Sequence, residues 1–196
     1  MAKDKYFSFK LNYQQAKIFS ELKIFVNDVD AQIYILKGYA GTGKTTLMSG
    51  LIKYLKEIKQ NFQLLASTGR AAKILSDKTN LAANTIHSQI YTFEGLSEDL
   101  EKMYEDQENK VDDKGQISLL FGLMEIVSEK TIIYIVDEAS MISDNKNPGT
   151  SFARFGNGEL LRDMLKFDKK GKFIFLGDPC QLPPINQKDS PALTSE

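Results

Sequence analysis

The sequence predicts an α/β fold, a parallel β-sheet with helices on both faces and a small inserted segment. Two observations carry this. Short runs rich in β-branched and aromatic residues alternate with segments of helical periodicity along most of the 196 residues, the order that builds parallel strands joined by crossover helices. The composition, 42% hydrophobic and 26% charged, is that of a globular domain able to bury one core.

In chain order, LNYQQAKIFSELKIF places Leu11, Ile18, Leu22 and Phe25 at helical spacing with Asn12 as the N-cap, and predicts a helix over about 13–26. QIYILK at 32–37 predicts a buried strand that stops at Gly38, and a second helix runs from Lys44 to about Lys59. QLLAS at 63–67 reads as a strand and GRAAKILSDK, from Gly69, as a helix. TIIYIVDE at 131–138 has the strongest strand signal, followed by a helix in ELLRDMLKF at 159–167 and a strand in KFIFLGD at 172–178. Two stretches break the alternation: 91–130, acidic and weakly periodic, and 143–158, polar and glycine-rich. Both read as insertions or long functional loops.

Several classes of function are excluded by composition. The formal charge of −1 hides nine acidic residues against three lysines in 94–114, which leaves about +5 elsewhere. That is too mild for the strongly basic face of a dedicated nucleic-acid binder. One cysteine, Cys180, allows no internal disulfide, and with one histidine, His87, metal chemistry falls to carboxylates and hydroxyls. No apolar run is long enough to span a bilayer and the opening MAKDKYFSFK is no signal peptide, so the expected location is cytoplasmic, with no membrane partner.

The chemistry concentrates in three places. GYAGTGKT, Gly38–Thr45, lies between a predicted strand and a predicted helix, the context of a phosphate-binding loop. Gly38, Ala40, Gly41, Thr42 and Gly43 are small enough for backbone N–H groups to curl around an anion, with Thr46 beside them in the first helical turn. Lys44 adds charge at the β and γ phosphates and the Thr45 hydroxyl can ligate Mg²⁺, so the expected ligands are ATP and Mg²⁺. IYIVDEAS, 133–140, brings Asp137 and Glu138 to the C-terminal edge of a buried strand, where open α/β sheets bind ligands. Asp137 suits Mg²⁺, through water, and Glu138 suits a base that orients and deprotonates the attacking water. FLGDPCQLPPI, 175–185, puts Gln181 within reach of a γ-phosphate, with Pro183 and Pro184 stiffening the exit. Standing alone, that third stretch reads equally well as a strand and a turn.

GYAGTGKT, STGRAAKIL, TIHS, VDEASM and GDPCQLPPI, in that order, resemble the first five motor motifs of superfamily 1 helicases, specifically the RecD and Dda group that moves 5′ to 3′. The resemblance spans nearly the whole chain. It implies a RecA-like P-loop NTPase domain over 1–196, translocation on single-stranded DNA, and a second RecA-like domain of the same polypeptide across the nucleotide cleft. Lys44, Thr45, Asp137, Glu138 and Gln181 keep the roles given above, Lys44, Glu138 and Gln181 being catalytic, while Asp178 couples the phosphate state to DNA. Thr68, Arg70, Thr85 and His87 face the DNA strand in this reading. From the residues alone, Arg70 reads as solvated and His87 as a structural group. Gln15 matches the glutamine that reads the adenine edge, although Asn12 and Gln15 also have capping-box spacing. Cys180 sits at a variable motif position and receives no redox role.

In 91–130 the resemblance places a β-hairpin that splits the duplex, with IYTF and QISLLFG as its strands; a mobile acidic loop is the other reading. Family members continue past QLPP into a second domain that supplies an arginine to the γ-phosphate. Here only Arg70, Arg154 and Arg162 exist and none lies in the three phosphate-edge motifs, so a fragment inactive in unwinding on its own is expected. Two other classes stay open: a P-loop kinase, which needs an arginine-bearing lid, and a non-motor nucleotide-binding module.

Overall fold

The computed structural model describes residues 5–96, 119–126, 128–146, 153–185 and 187–194. Helix α1 (Tyr13–Asn27) opens on a full capping box: Gln15 N donates to Asn12 Oδ1 at 2.8 Å and Asn12 N donates to Gln15 Oε1 at 3.1 Å. Its buried stripe is Phe19, Leu22, Phe25 and Val26, and Ile18 only flanks it. The expected stripe was thus one residue off on its second turn, because Phe19 is the larger side chain and takes the core position.

There follow β1 (Ile33–Lys37), α2 (Lys44–Glu57), β2 (Phe62–Ala66), α3 (Gly69–Thr79), β3 (Ala83–Thr85), α4 (Ile86–Ile90) and β4 (Tyr91–Leu96). The rest comprises β5 (Leu119–Leu123), β6 (Ile133–Asp137), a 3₁₀ turn Ala139–Met141, β7 (Ala153–Phe155), α5 (Leu160–Phe167), β8 (Lys172–Gly177) and a 3₁₀ turn Pro191–Leu193. Five strands form one parallel sheet in the order β1-β8-β6-β2-β3. Alternation along the strands splits the core in two. Ile133 and Ile135 of β6 pack with residues of α1, α2 and α3 on one face, and Tyr134 and Val136 pack with residues of α4 and α5 on the other. This is the expected α/β architecture, with the central strands β6 and β8 buried on both faces; β1, expected as a buried strand, lies at the sheet edge and buries only Leu36.

The two interruptions of the pattern meet in space. Strands β4 and β5 pair antiparallel, and β7, from the second interruption, adds to β5 in parallel to complete a three-stranded sheet. Register aligns Phe93, Phe121 and Phe155 across the strands, with ring centroids 5.8 and 4.8 Å apart. The sheet is tied to the body where Tyr91 Oη donates to the buried Asp163 of α5 at 2.8 Å. The acidic residues 97–118 lie outside the described residues. Among the described residues no helix is long and apolar enough to cross a membrane.

Candidate functional site

Parallel register puts the strand ends level. Lys37 pairs with Gly177, Val136 with Phe175, and Ala66 with both Asp137 and Thr85. The loops that leave β1, β6, β8, β2 and β3 therefore emerge at one C-terminal edge, the edge where such sheets bind ligands.

The loop after β1 is held at its base by Gly38 N donating to Gly177 O at 3.1 Å. Gly41 (φ 77°) and Gly43 (φ 94°) both occupy left-handed conformations that a side chain disfavours, and Gly43 is the N-cap of the 14-residue α2. A Cβ at Gly38 would stand 2.7 Å from Thr42 Oγ1, so a side chain there would have to displace that hydroxyl from its bond to Tyr39 O. Thr42 Oγ1 donates to Tyr39 O at 2.8 Å, and Lys44 Nζ donates to Gly38 O at 2.5 Å and Tyr39 O at 3.1 Å. The ammonium thus sits within the curl of the loop, over the positive end of α2. Ala40 and Gly41 are exposed, while Thr45 and Thr46 are half-buried in the first turn of the helix.

Gln15 serves two structures at once. Its carbonyl closes the capping box, and its Nε2 donates to Thr42 O at 3.4 Å against the bare face of Gly43.

At the end of β6 the chain turns sharply. Glu138 is a non-glycine residue at φ 54°, ψ 41°, a strained conformation of the kind found at functional sites. Its N–H donates to Asp137 Oδ1 at 3.0 Å. Burial holds the Asp137 carboxyl above the usual carboxylate range, and repulsion from Glu138 adds to this; the Glu138 N–H, Lys78 and Lys44 oppose it. A divalent cation would relieve that burial cost.

After β8, Asp178 is 7% exposed, its Oδ1 accepting from Cys180 N at 2.9 Å and its carbonyl from Gln181 N at 3.1 Å. Gln181 is exposed, and its Oε1 accepts from the buried Ser140 hydroxyl at 2.7 Å. Cys180 is an exposed free thiol.

Thr68, Arg70, Thr85 and His87 lie beyond β2 and β3, away from the β1 loop. Thr68 caps α3, accepting from Ala71 N at 3.2 Å, and Thr85 caps α4, accepting from Ser88 N at 3.1 Å. Arg70 is exposed in the first turn of α3. His87 packs on Phe155 and Tyr91 at 5.1 and 5.7 Å, and burial lowers its pKa below 6.5. Two residues escaped sequence reasoning. Ser140 stands inside the DEAS stretch, but its partner is 41 positions away. The Ser67 hydroxyl, at the end of β2, is buried without a hydrogen-bond partner among the described residues.

A family model described as an AAA domain matches residues 10–193. The chain is 30% identical over 169 residues to an uncharacterized protein of Methanocaldococcus jannaschii, an alignment covering 82% of this chain and 12% of that protein. It is 26% identical over 189 residues to an uncharacterized protein of Acanthamoeba polyphaga mimivirus, covering 91% of this chain and 34% of that one. The chain therefore spans about a third or less of these relatives. With a glycine loop, a lysine, a threonine and two carboxylates gathered on one sheet edge and a match over nearly its full length, the chain belongs to the AAA domain family, P-loop ATPases associated with superfamily 1 helicases.

Proposed function

We propose that this chain is the ATP-binding and ATP-hydrolysing motor domain of a 5′ to 3′ DNA helicase of the RecD and Dda group. One observation carries the reading: the carboxylates Asp137 and Glu138 and the amide of Gln181 share an edge with the P-loop, and Ser140, which follows the carboxylates in the same turn, donates its hydroxyl to that amide. A sensor of the terminal phosphate linked to the hydrolytic carboxylates is what a motor requires, because hydrolysis has to be reported to the rest of the machine.

Gly38, Ala40, Gly41, Thr42, Gly43, Lys44, Thr45 and Thr46 would hold the phosphates. Lys44 supplies the charge and the amide groups of the α2 N-terminus supply the dipole. The residues fit Mg²⁺: Asp137 is a half-buried carboxylate, Thr45 offers a hydroxyl, and no cluster of three or more His, Cys, Asp or Glu among the described residues is placed to hold a metal alone. A cation would thus be completed by phosphate oxygens and water, as Mg²⁺ prefers. Bound there, Mg²⁺ neutralises charge on the β and γ phosphates. Glu138 accepts the proton of the attacking water as the bond from the γ-phosphorus to the β–γ bridging oxygen breaks, and Gln181 contacts the departing phosphate.

Gln15, whose Nε2 already donates to Thr42 O of the P-loop, would read the adenine edge with the remaining N–H of that amide. Thr68, Arg70, Thr85 and His87 would line the path of single-stranded DNA. A second RecA-like domain of the same polypeptide would close the cleft, in keeping with relatives far longer than this chain. The 91–130 segment would present a hairpin built on β4 and β5 to the duplex.

Phosphate release with and without single-stranded DNA, in a protein that includes the second domain, tests the reading. DNA-stimulated turnover is expected; turnover only with a non-water acceptor would establish a kinase in its place.

A further inference from the structure

Ser140 is 1% exposed, yet it lies at the lip of an open site. The left-handed Glu138 turns the chain directly after the carboxylates, and the 3₁₀ turn Ala139–Met141 sets Ser140 beneath the loop that follows β8. The turn is itself braced, since Ser190 Oγ donates to Ala139 O at 3.4 Å and Ala192 and Leu193 are buried with Ala139 in one apolar cluster. Gln181 is fixed at its backbone by the Asp178 carbonyl and at its side chain by Ser140.

A serine hydroxyl has one proton to give, and here it goes to the amide oxygen of Gln181. An amide whose oxygen is so engaged keeps its two N–H bonds for another partner. Toward an anion that orientation attracts; the reverse orientation would present an oxygen and repel it.

We propose that Ser140 is a positioning residue that orients the Gln181 amide to donate to the terminal phosphate and makes the two loops respond to that phosphate as one unit. The proposal rests on the reading of Gln181 as a γ-phosphate contact. In this reading Ser140 acts on the phosphate through Gln181 alone.

The test uses the 196-residue chain with Mg²⁺, and calorimetric affinities for ADP and for a non-hydrolysable ATP analogue. The readout is the ratio of the two affinities, which isolates the terminal phosphate. Gln181→Ala should lower the preference for the analogue by roughly tenfold, the scale of one hydrogen bond to a charged group. Ser140→Ala should lower it by roughly three- to tenfold with little change in ADP affinity, because the donor remains but is no longer aimed. Ser140→Thr, which keeps the hydroxyl, should restore the ratio, and the double change to alanine should be no worse than Gln181→Ala alone. Ser140→Cys keeps the volume and weakens the donor, so it should give a partial loss even if the alanine variant does not fold. Equal weakening of ADP and analogue on changing Ser140, or a loss additive to that of Gln181→Ala, would overturn the positioning role while leaving Gln181 as a contact. An unchanged ratio in Gln181→Ala would overturn the reading on which it stands.

Discussion

Lys44 and Glu138 lie on the same edge and would meet the same phosphates, but their chemistry separates them. Lys44 contributes charge to the bound state, so Lys44→Ala should weaken Mg·ATP on the order of tenfold or more. Glu138→Gln keeps shape and removes only the basic oxygen. It should cut phosphate release by roughly 10²- to 10⁴-fold and leave affinity within about twofold. A titration in which both variants lose affinity to the same degree would show the division of roles to be wrong. His87 offers a second check. Its imidazole is half-buried against Tyr91 and Phe155, and its pKa is depressed below 6.5 by desolvation, so the unfolded chain binds the proton more readily than the folded one. Its contribution is fully present above pH 6.5 and is lost as pH falls through that value toward the depressed one. Urea unfolding at pH 7.5 and pH 5.5 should show a smaller loss of stability on acidification in His87→Gln than in the parent; equal losses would mean that His87 is not held neutral by its surroundings. Lys44 and Asp137 stood out in sequence as site candidates because phosphate and metal chemistry admits few residue types at fixed spacing, and the fold brings them to one sheet edge. Ser140 was not, since a serine is commonplace and its partner lies 41 positions away in another loop.

At the scale of elements, the long strands and helices were legible because each carries its own period. Strands of three residues do not. Strand β3 (Ala83–Thr85) completes the main sheet, and β7 (Ala153–Phe155) completes the small one, yet neither is long enough to show alternation. Both are strands because a neighbour supplies the hydrogen bonds, which is information held at the partner's place in the chain. The joining of the two interruptions into one sheet was hidden for the same reason. That sheet packs on the body through Tyr91, Phe121 and Phe155, and one tie is polar: Asp163, 0% exposed, accepts from Tyr91 Oη and from Asn157 N at 3.0 Å. Tyr91→Phe leaves the carboxylate short of one donor in a buried place, and should cost roughly 1.5–3 kcal/mol. For a chain of this length that is a fall of several degrees in Tm. Tyr13→Phe, at a side chain 69% exposed, should leave Tm nearly unchanged. A thermal melt in which the two variants behave alike would mean that the Tyr91–Asp163 bond does not secure the small sheet.

At the scale of the whole molecule, the site is an open face, which in the proposed reading is one wall of a cleft. Its parts come from a single sheet edge, and Ala40, Gly41 and Gln181 face open solvent. Tight electrostatic stabilisation of a transferring phosphoryl group needs charge on the opposite side as well. This chain has three arginines, and they are placed elsewhere: Arg70 on α3, Arg154 on β7, and Arg162 on α5, where it pairs with Glu159 at 3.1 Å and Asp144 at 3.4 Å. An arginine at the γ-phosphate contributes on the order of 10³ to 10⁵ in rate in related reactions, so the 196-residue chain by itself should bind Mg·ATP and Mg·ADP but turn over slowly. Its contact with single-stranded DNA should be weak and quickly lost as salt rises, because few phosphates would be neutralised and the counterion release that drives such binding would be small. Strand displacement should be undetectable, since translocation takes two bodies that close and open around the nucleotide. A strand-displacement assay on tailed duplex, run beside phosphate release on the same preparation, decides the matter: slow release with no unwinding is the expected pair of results. Robust unwinding by this chain alone would show that its motor is complete in one domain and that the proposed second wall of the cleft is not required.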